Sequence, residues 1–115
     1  MRDRLFAPLG MTQTAVQTAE DPVAGGQTLS GLPAQPWVLQ GYAPGGGAVS
    51  TLHDLSLLAT ALLNGTAPGV DALAATTATD DPDRRIGAFW MTSRSDDGAM
   101  TVWHNGQTTG YTSYL

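Results

Sequence analysis

Cysteine and lysine are both absent from these 115 residues. Without cysteine the chain can form neither a disulfide nor a thiolate metal site, and it offers no cysteine nucleophile. Charged residues are also few, at 13% of the sequence, and ten acidic side chains outnumber five basic ones to give a net charge of −5. The arginines are scattered, so no basic patch points to a nucleic acid as a partner.

Long hydrophobic runs are absent too. No apolar stretch approaches the roughly 20 residues that a membrane-spanning helix needs, and the charged N-terminus lacks the hydrophobic segment typical of a signal peptide. The two histidines, His53 and His104, are far apart, with neither glutamate nor cysteine beside them. This pattern makes a poor metal site, and we expect no metal or other cofactor. The 42% of hydrophobic residues suffices for one modest core.

The clearest element is a helix predicted over residues 51–64. Thr51 can cap its N-terminus, and Asp54 three residues later gives a pair typical of a capping box. Asn64 and Gly65 provide a left-handed stop at the C-terminus. The predicted apolar stripe consists of Leu52, Leu55, Ala59 and Leu62, widened by Leu58 and Leu63.

The C-terminal residues predict an antiparallel meander with strands at about 86–92, 99–105 and 111–115. Asp97-Gly98 is a strong signal for the hairpin turn between the first two strands. Together with the helix, the meander favours an α+β fold in which an antiparallel sheet packs with helices.

The remaining segments have weak patterns. Residues 2–9 favour a short helix that ends near Phe6, because Pro8 fits badly inside a helix. Residues 12–47 read as a long loop without a sustained period, and residues 71–78 can form a short helix. A loop of that length is unusual inside a small independent domain. We therefore expect the chain to be part of one larger domain.

Four segments share their pattern with a known superfamily. Residues 6–14 (FAPLGMTQT) resemble an F-x-P-L-G-M-x-x-T signature, and residues 44–55 (PGGGAVSTLHDL) resemble P-x-G-G-x-x-S-T-x-x-D-L. Residues 87–90 (GAFW) resemble a G-x-G-W strand, with Phe89 in place of the second glycine. Residues 104–111 (HNGQTTGY) resemble an H-x-G-x-T-x-G-F element. In this order they resemble the serine β-lactamases, penicillin-binding proteins and related esterases, above all the class C-like, β-lactamase-related branch.

The resemblance implies a serine hydrolase that forms an acyl-enzyme on an ester, amide or β-lactam. Such enzymes use a serine with a lysine three residues later, and a tyrosine or serine with an asparagine two residues later. The first motif is impossible without lysine, and the second does not occur in these residues. Both motifs lie upstream of the P-L-G-M element in the superfamily. We therefore expect the chain to be the C-terminal part of the catalytic domain, truncated at both ends and inactive alone.

The resemblance also implies roles for residues of the last motif. His104 would take the place of a strand lysine and hydrogen-bond to the carboxylate or carbonyl of a small-molecule or peptide substrate. The backbone N–H of Gln107 would be one of two oxyanion-hole donors. Gly106 would leave room for the acyl group, and Asn105 and Thr108 would contribute to substrate binding. Because imidazole is a softer anchor than an ammonium group, small esters, peptides and amides are favoured over penicillins.

Two other interpretations stay open at this point. A relative without the catalytic motifs would keep the fold as a binding or regulatory module, and the residues before Met1 would discriminate. A stand-alone product of a broken gene would unfold without cooperativity and tend to aggregate. The resemblance further suggests a periplasmic or extracellular location.

Overall fold

The computed structural model describes residues 1–18, 25–35 and 37–115. Helices and short antiparallel sheets alternate along these residues, which confirms the predicted α+β class. The chain divides into two compact units. The first comprises Met1–Pro68 and Gly106–Ser113, and the second comprises Gly69–Asn105 and Tyr114–Leu115.

Regular elements are short, with one exception. Up to residue 68 they are a π-helical turn (Arg2–Phe6), β1 (Ala15–Val16), β2 (Gly26–Gln27), β3 (Pro33–Ala34), a 3₁₀ helix (Gln40–Gly45), β4 (Ala48–Val49) and α1 (Leu52–Leu63). Then follow a second 3₁₀ helix (Val70–Leu73), β5 (Thr77–Ala78), β6 (Arg84–Ile86), β7 (Met91–Arg94), β8 (Met100–Trp103), β9 (Asn105–Thr108) and β10 (Tyr111–Tyr114). β1 pairs with β4, β2 with β3 and β9 with β10, while β5 to β8 form a four-stranded antiparallel sheet in chain order.

Helix α1 has the predicted ends and part of the predicted apolar stripe. The Thr51 hydroxyl accepts a hydrogen bond from the Asp54 backbone N–H at 3.2 Å, and Gly65 takes the left-handed conformation with φ +69°. The buried residues of α1 are Asp54 and Ala61, which lie two turns apart on one face. Leu52 and Leu63 are 85% and 88% exposed. The prediction was therefore wrong for Leu52 and Leu63, each about 200° around the helix from the nearer buried residue. The other members of the predicted stripe are half-buried: Leu55, Leu58, Ala59 and Leu62.

The segment predicted as a loop over residues 12–47 contains β1, β2, β3 and the first 3₁₀ helix. Residues 19–24 and 36 of that range lie outside the described residues. The short strands escape a periodicity search because two residues cannot show a period. They are defined by partners elsewhere in the chain, as in the pairing of Ala15 with Val49. Likewise, the helix predicted over 71–78 covers only Val70–Leu73, and β5 follows it.

The single strand predicted over 86–92 is in fact two strands. β6 ends at Ile86 and β7 begins at Met91, and these two residues are paired across a tight connection. Inside it, the Gly87 N–H donates to the Trp90 carbonyl at 2.8 Å, and Phe89 has φ +69°. A continuous apolar run does not reveal such a turn, because it suits a buried strand equally well.

The hairpin predicted at Asp97-Gly98 is confirmed. It joins β7 to β8 with Arg94 paired to Met100, and Gly98 adopts φ +84°. The Asp97 carboxyl accepts hydrogen bonds from the Ser95 hydroxyl and the Ala99 N–H, which lower the pKa of Asp97 below its ordinary value. These local bonds favour the same turn that the sequence indicates.

Phe89 offers a direct test of the strained connection between β6 and β7. A left-handed backbone costs a residue with a β-carbon about 1–2 kcal/mol, and Phe89 is 87% exposed, so its ring contributes little burial. We expect Phe89→Gly to raise the free energy of unfolding by about 1 kcal/mol, measured by urea denaturation. Phe89→Ala keeps the strain and is the control. Equal stabilities of the two variants would contradict the prediction.

In the part of the chain that is described, no helix is both long and apolar enough to cross a bilayer.

Candidate functional site

His104 lies between β8 and β9, in the second unit. Its backbone exchanges two hydrogen bonds with Leu115, at 2.9 and 3.0 Å, so the main chain is fixed at this point. Its side chain is exposed, and the edge of its ring faces Trp90 at a centroid distance of 6.4 Å and an interplanar angle of 77°. Among the described residues the imidazole has no hydrogen-bond partner, so both ring nitrogens can serve a ligand.

Trp103, the residue before His104, contacts two other strands. The Trp103 indole Nε1–H donates to the Ser93 hydroxyl on β7 at 2.9 Å. Its ring also stacks on Tyr114, with centroids 5.2 Å apart and planes 13° from parallel. Trp103 thereby ties β8 to two other strands, and this orders the backbone that presents His104.

The pairing of β9 with β10 decides which way the backbone of Gln107 points. His104 and Leu115 form a hydrogen-bonded pair, and in an antiparallel ladder such pairs recur at every second residue. The next pair is therefore Gly106 with Ser113. Asn105 and Gln107, in between, direct their N–H and C=O groups away from β10. Within the described residues β9 has no other strand neighbour, so this edge is unpaired.

Gly106 and Thr108 lie on the opposite face from the Gln107 side chain and belong to the first unit. A β-carbon on Gly106 would lie 3.2 Å from the hydroxyl of Ser113, whose side chain is exposed. The Thr108 side chain is half-buried, and its Cγ2 would be 3.8 Å from a β-carbon on Gly46. Packing against the chain is thus part of what Thr108 does. Asn105 and Gln107 are exposed.

Sequence reasoning missed the surroundings of Asp54. Its carboxyl is fully buried, and Oδ2 accepts from the Gln13 N–H at 2.8 Å and from the Thr14 hydroxyl at 2.7 Å. The Thr14 hydroxyl also lies 2.7 Å from that of Ser50. The side chain of Asp54 therefore joins residues 13–14 to α1, although the pattern predicted a helix cap. Only the presence of Thr14 and Asp54 in two motifs of one family could have suggested this.

Trp90 is the last residue of the motif at 87–90, which resembles a strand. It is half-buried and lies in the connection between β6 and β7, where it contacts His104. The described residues contain no group of three His, Cys, Asp or Glu side chains that could hold a metal ion.

Comparison with known proteins identifies the family of this chain. No curated protein matches the chain significantly. The family model described as Beta-lactamase matches residues 1–115, which is every residue of the chain. The family supports a serine hydrolase-like superfamily, in agreement with the four motifs. This chain belongs to the Beta-lactamase family.

Proposed function

We propose that this chain supplies the substrate-binding strand of a serine hydrolase that acts on esters, amides or β-lactams through an acyl-enzyme. The single observation that carries the proposal is the open edge of β9, where the Gln107 N–H points away from the paired strand β10. Family membership supports the reaction class. The serine nucleophile and the group that activates it would be contributed by residues outside these 115.

The proposed reaction forms an acyl-enzyme and then hydrolyses it. A serine hydroxyl attacks the substrate carbonyl, and the carbonyl oxygen gains negative charge as the tetrahedral intermediate forms. The Gln107 N–H and the N–H of the nucleophile would donate hydrogen bonds to that oxygen, where one donor is worth roughly 3 kcal/mol. The leaving group departs with a proton, and water then releases the acyl group from the serine.

His104 would bind rather than attack. Its imidazole has no hydrogen-bond partner among the described residues and is exposed beside Trp90. It can therefore donate to a carboxylate or carbonyl of the substrate, or orient the group that moves the proton. An extended peptide or amide would in addition pair with the edge groups of Gln107, as an added strand does.

Covalent labelling tests the proposal. A fluorophosphonate probe reacts with activated serines, and the full-length protein that contains this chain is expected to take up one equivalent, measured by intact mass. Peptide mapping should place the adduct on a serine followed three residues later by lysine, and the 115-residue chain alone should stay unlabelled. A full-length protein that is folded and remains unlabelled would overturn the enzyme proposal and favour a binding or regulatory module.

A further inference from the structure

The turn between β9 and β10 is held by the β2–β3 hairpin, and all of these contacts lie within the first unit. The Gln27 N–H donates to the Gly110 carbonyl at 3.3 Å. Gly110 has φ +82°, and a β-carbon there would lie 2.5 Å from Ala34 Cβ and 2.9 Å from the Gln27 nitrogen. The two hairpins thus meet backbone to backbone, with no space for a side chain at Gly110.

Gly26, on β2, takes part in the same contact between the two hairpins. It is buried, and a β-carbon there would lie 2.7 and 2.8 Å from Cε2 and Cζ of Tyr111 and 3.0 Å from the Gly110 carbonyl oxygen. The two approaches to Tyr111 are closer than real β-carbons show, so an alanine at position 26 would have to displace the Tyr111 ring. The neighbouring Gly25 is exposed and would meet nothing within 4 Å. The need for glycine is therefore specific to one of two adjacent positions.

This contact bears on Gln107 because a two-residue turn sets the register and direction of the strands it joins. The turn consists of Thr109 and Gly110, directly after β9, and Gln107 is two residues before it. A displaced turn would carry the Gln107 N–H with it. Oxyanion donors act only at about 2.7–3.1 Å, and a misplacement of about 1 Å can cost on the order of 10²-fold in rate.

We propose that Gly26 and Gly110 are positioning residues, whose contact fixes the hairpin turn and thereby aims the Gln107 N–H at the developing oxyanion. The inference rests on the proposed function of Gln107. It assigns a catalytic consequence to the β2–β3 hairpin, which lies far from β9 in sequence and contains none of the motif residues.

Two pairs of variants in the full-length protein test it. Gly26→Ala is compared with Gly25→Ala, and Gly110→Ala with Gly98→Ala. Gly98 is a hairpin glycine with φ +84° that would meet nothing within 4 Å, so it has the same backbone penalty without the contact. We expect kcat to fall by about tenfold or more in the Gly26 and Gly110 variants, with KM within about twofold. Each control should retain kcat within about twofold.

A second measurement follows the strand itself. The backbone amide resonance of Gln107 should shift in the Gly26 and Gly110 variants and stay in place in both controls. An unmoved resonance, or equal losses of kcat within a pair, would overturn the inference. If the wild-type protein hydrolyses no substrate, the proposed function fails, while the amide resonance of Gln107 still tests the contact.

A double variant covers the case in which Gly26→Ala does not fold. Gly26→Ala/Tyr111→Leu removes the clashing ring and is expected to fold. A double variant that also fails to fold overturns the inference.

Discussion

Replacing His104 with alanine is expected to lower kcat/KM of the full-length protein by about 10²-fold on a chromogenic ester. The estimate is the usual contribution of a group that transfers a proton or supports the oxyanion in the transition state. The fold should survive, because the two hydrogen bonds of His104 to Leu115 are made by the backbone and do not depend on the imidazole. Loss of the edge contact with Trp90 should cost little stability, since the histidine is exposed.

His53→Ala is the matched control for this experiment. His53 is exposed in the first turn of α1, and its carbonyl oxygen accepts from the Ser56 hydroxyl of the same helix at 2.6 Å, a bond that the variant keeps because the backbone makes it. Its variant should keep full activity. His104→Gln retains a hydrogen-bond donor without a basic nitrogen, so it separates binding from proton transfer. An unchanged rate for His104→Ala would remove His104 from the mechanism. The Gln107 N–H would then remain as the proposed oxyanion-hole donor.

What the sequence could predict depended on how local the deciding interactions are. Helix α1 was predictable because Thr51 and Gly65 act within a few residues of its ends, and the Asp97-Gly98 hairpin for the same reason. The open edge of β9 could be inferred only in part. The motif around His104 marks the strand, but the direction of the Gln107 N–H follows from the pairing of His104 with Leu115.

The misses have two causes: an unusual backbone conformation at one residue, and contacts between residues far apart in the chain. The break between β6 and β7 depends on one residue, Phe89, in a conformation that aromatic residues rarely adopt. The contact of Gly26 with Tyr111 joins residues far apart in the chain, and so does that of Asp54 with Thr14. Single-sequence patterns carry no information about such pairs, because periodicity describes neighbours along one element.

Asp54 is the residue whose loss should destabilise the protein most. Asp54→Ala would leave the Gln13 N–H and the Thr14 hydroxyl without their acceptor, and the carboxyl that they contact is fully buried. A hydrogen bond to a charged group contributes about 1.5–3 kcal/mol, and this carboxyl accepts two. We expect the free energy of unfolding to fall by about 3 kcal/mol, measured by urea denaturation of the full-length protein.

Two further variants separate the hydrogen bonds from the general effect of removing an acidic residue. Asp71→Ala is the control, because Asp71 is an exposed residue in the first turn of a 3₁₀ helix, and surface changes of this kind stay within about 0.5 kcal/mol. Asp54→Asn keeps one acceptor for both donors. Its new NH₂ group would occupy the place of Oδ1, which has no partner among the described residues. The asparagine variant should therefore be more stable than the alanine variant.

Hydrogen exchange shows whether the loss comes from this cluster. In Asp54→Ala the Gln13 amide should exchange faster, because its acceptor has gone. Amides in the middle of α1 should exchange faster only by the amount that the loss of global stability accounts for. The residues concerned connect two family motifs: Gln13 and Thr14 come from the first, and Ser50 and Asp54 from the second. A loss of stability equal to that of Asp71→Ala, with Gln13 exchange unchanged, would mean that the buried carboxyl does not join them. The expected result would mean that the two motifs together build the framework of the first unit, to which Gln107 also belongs.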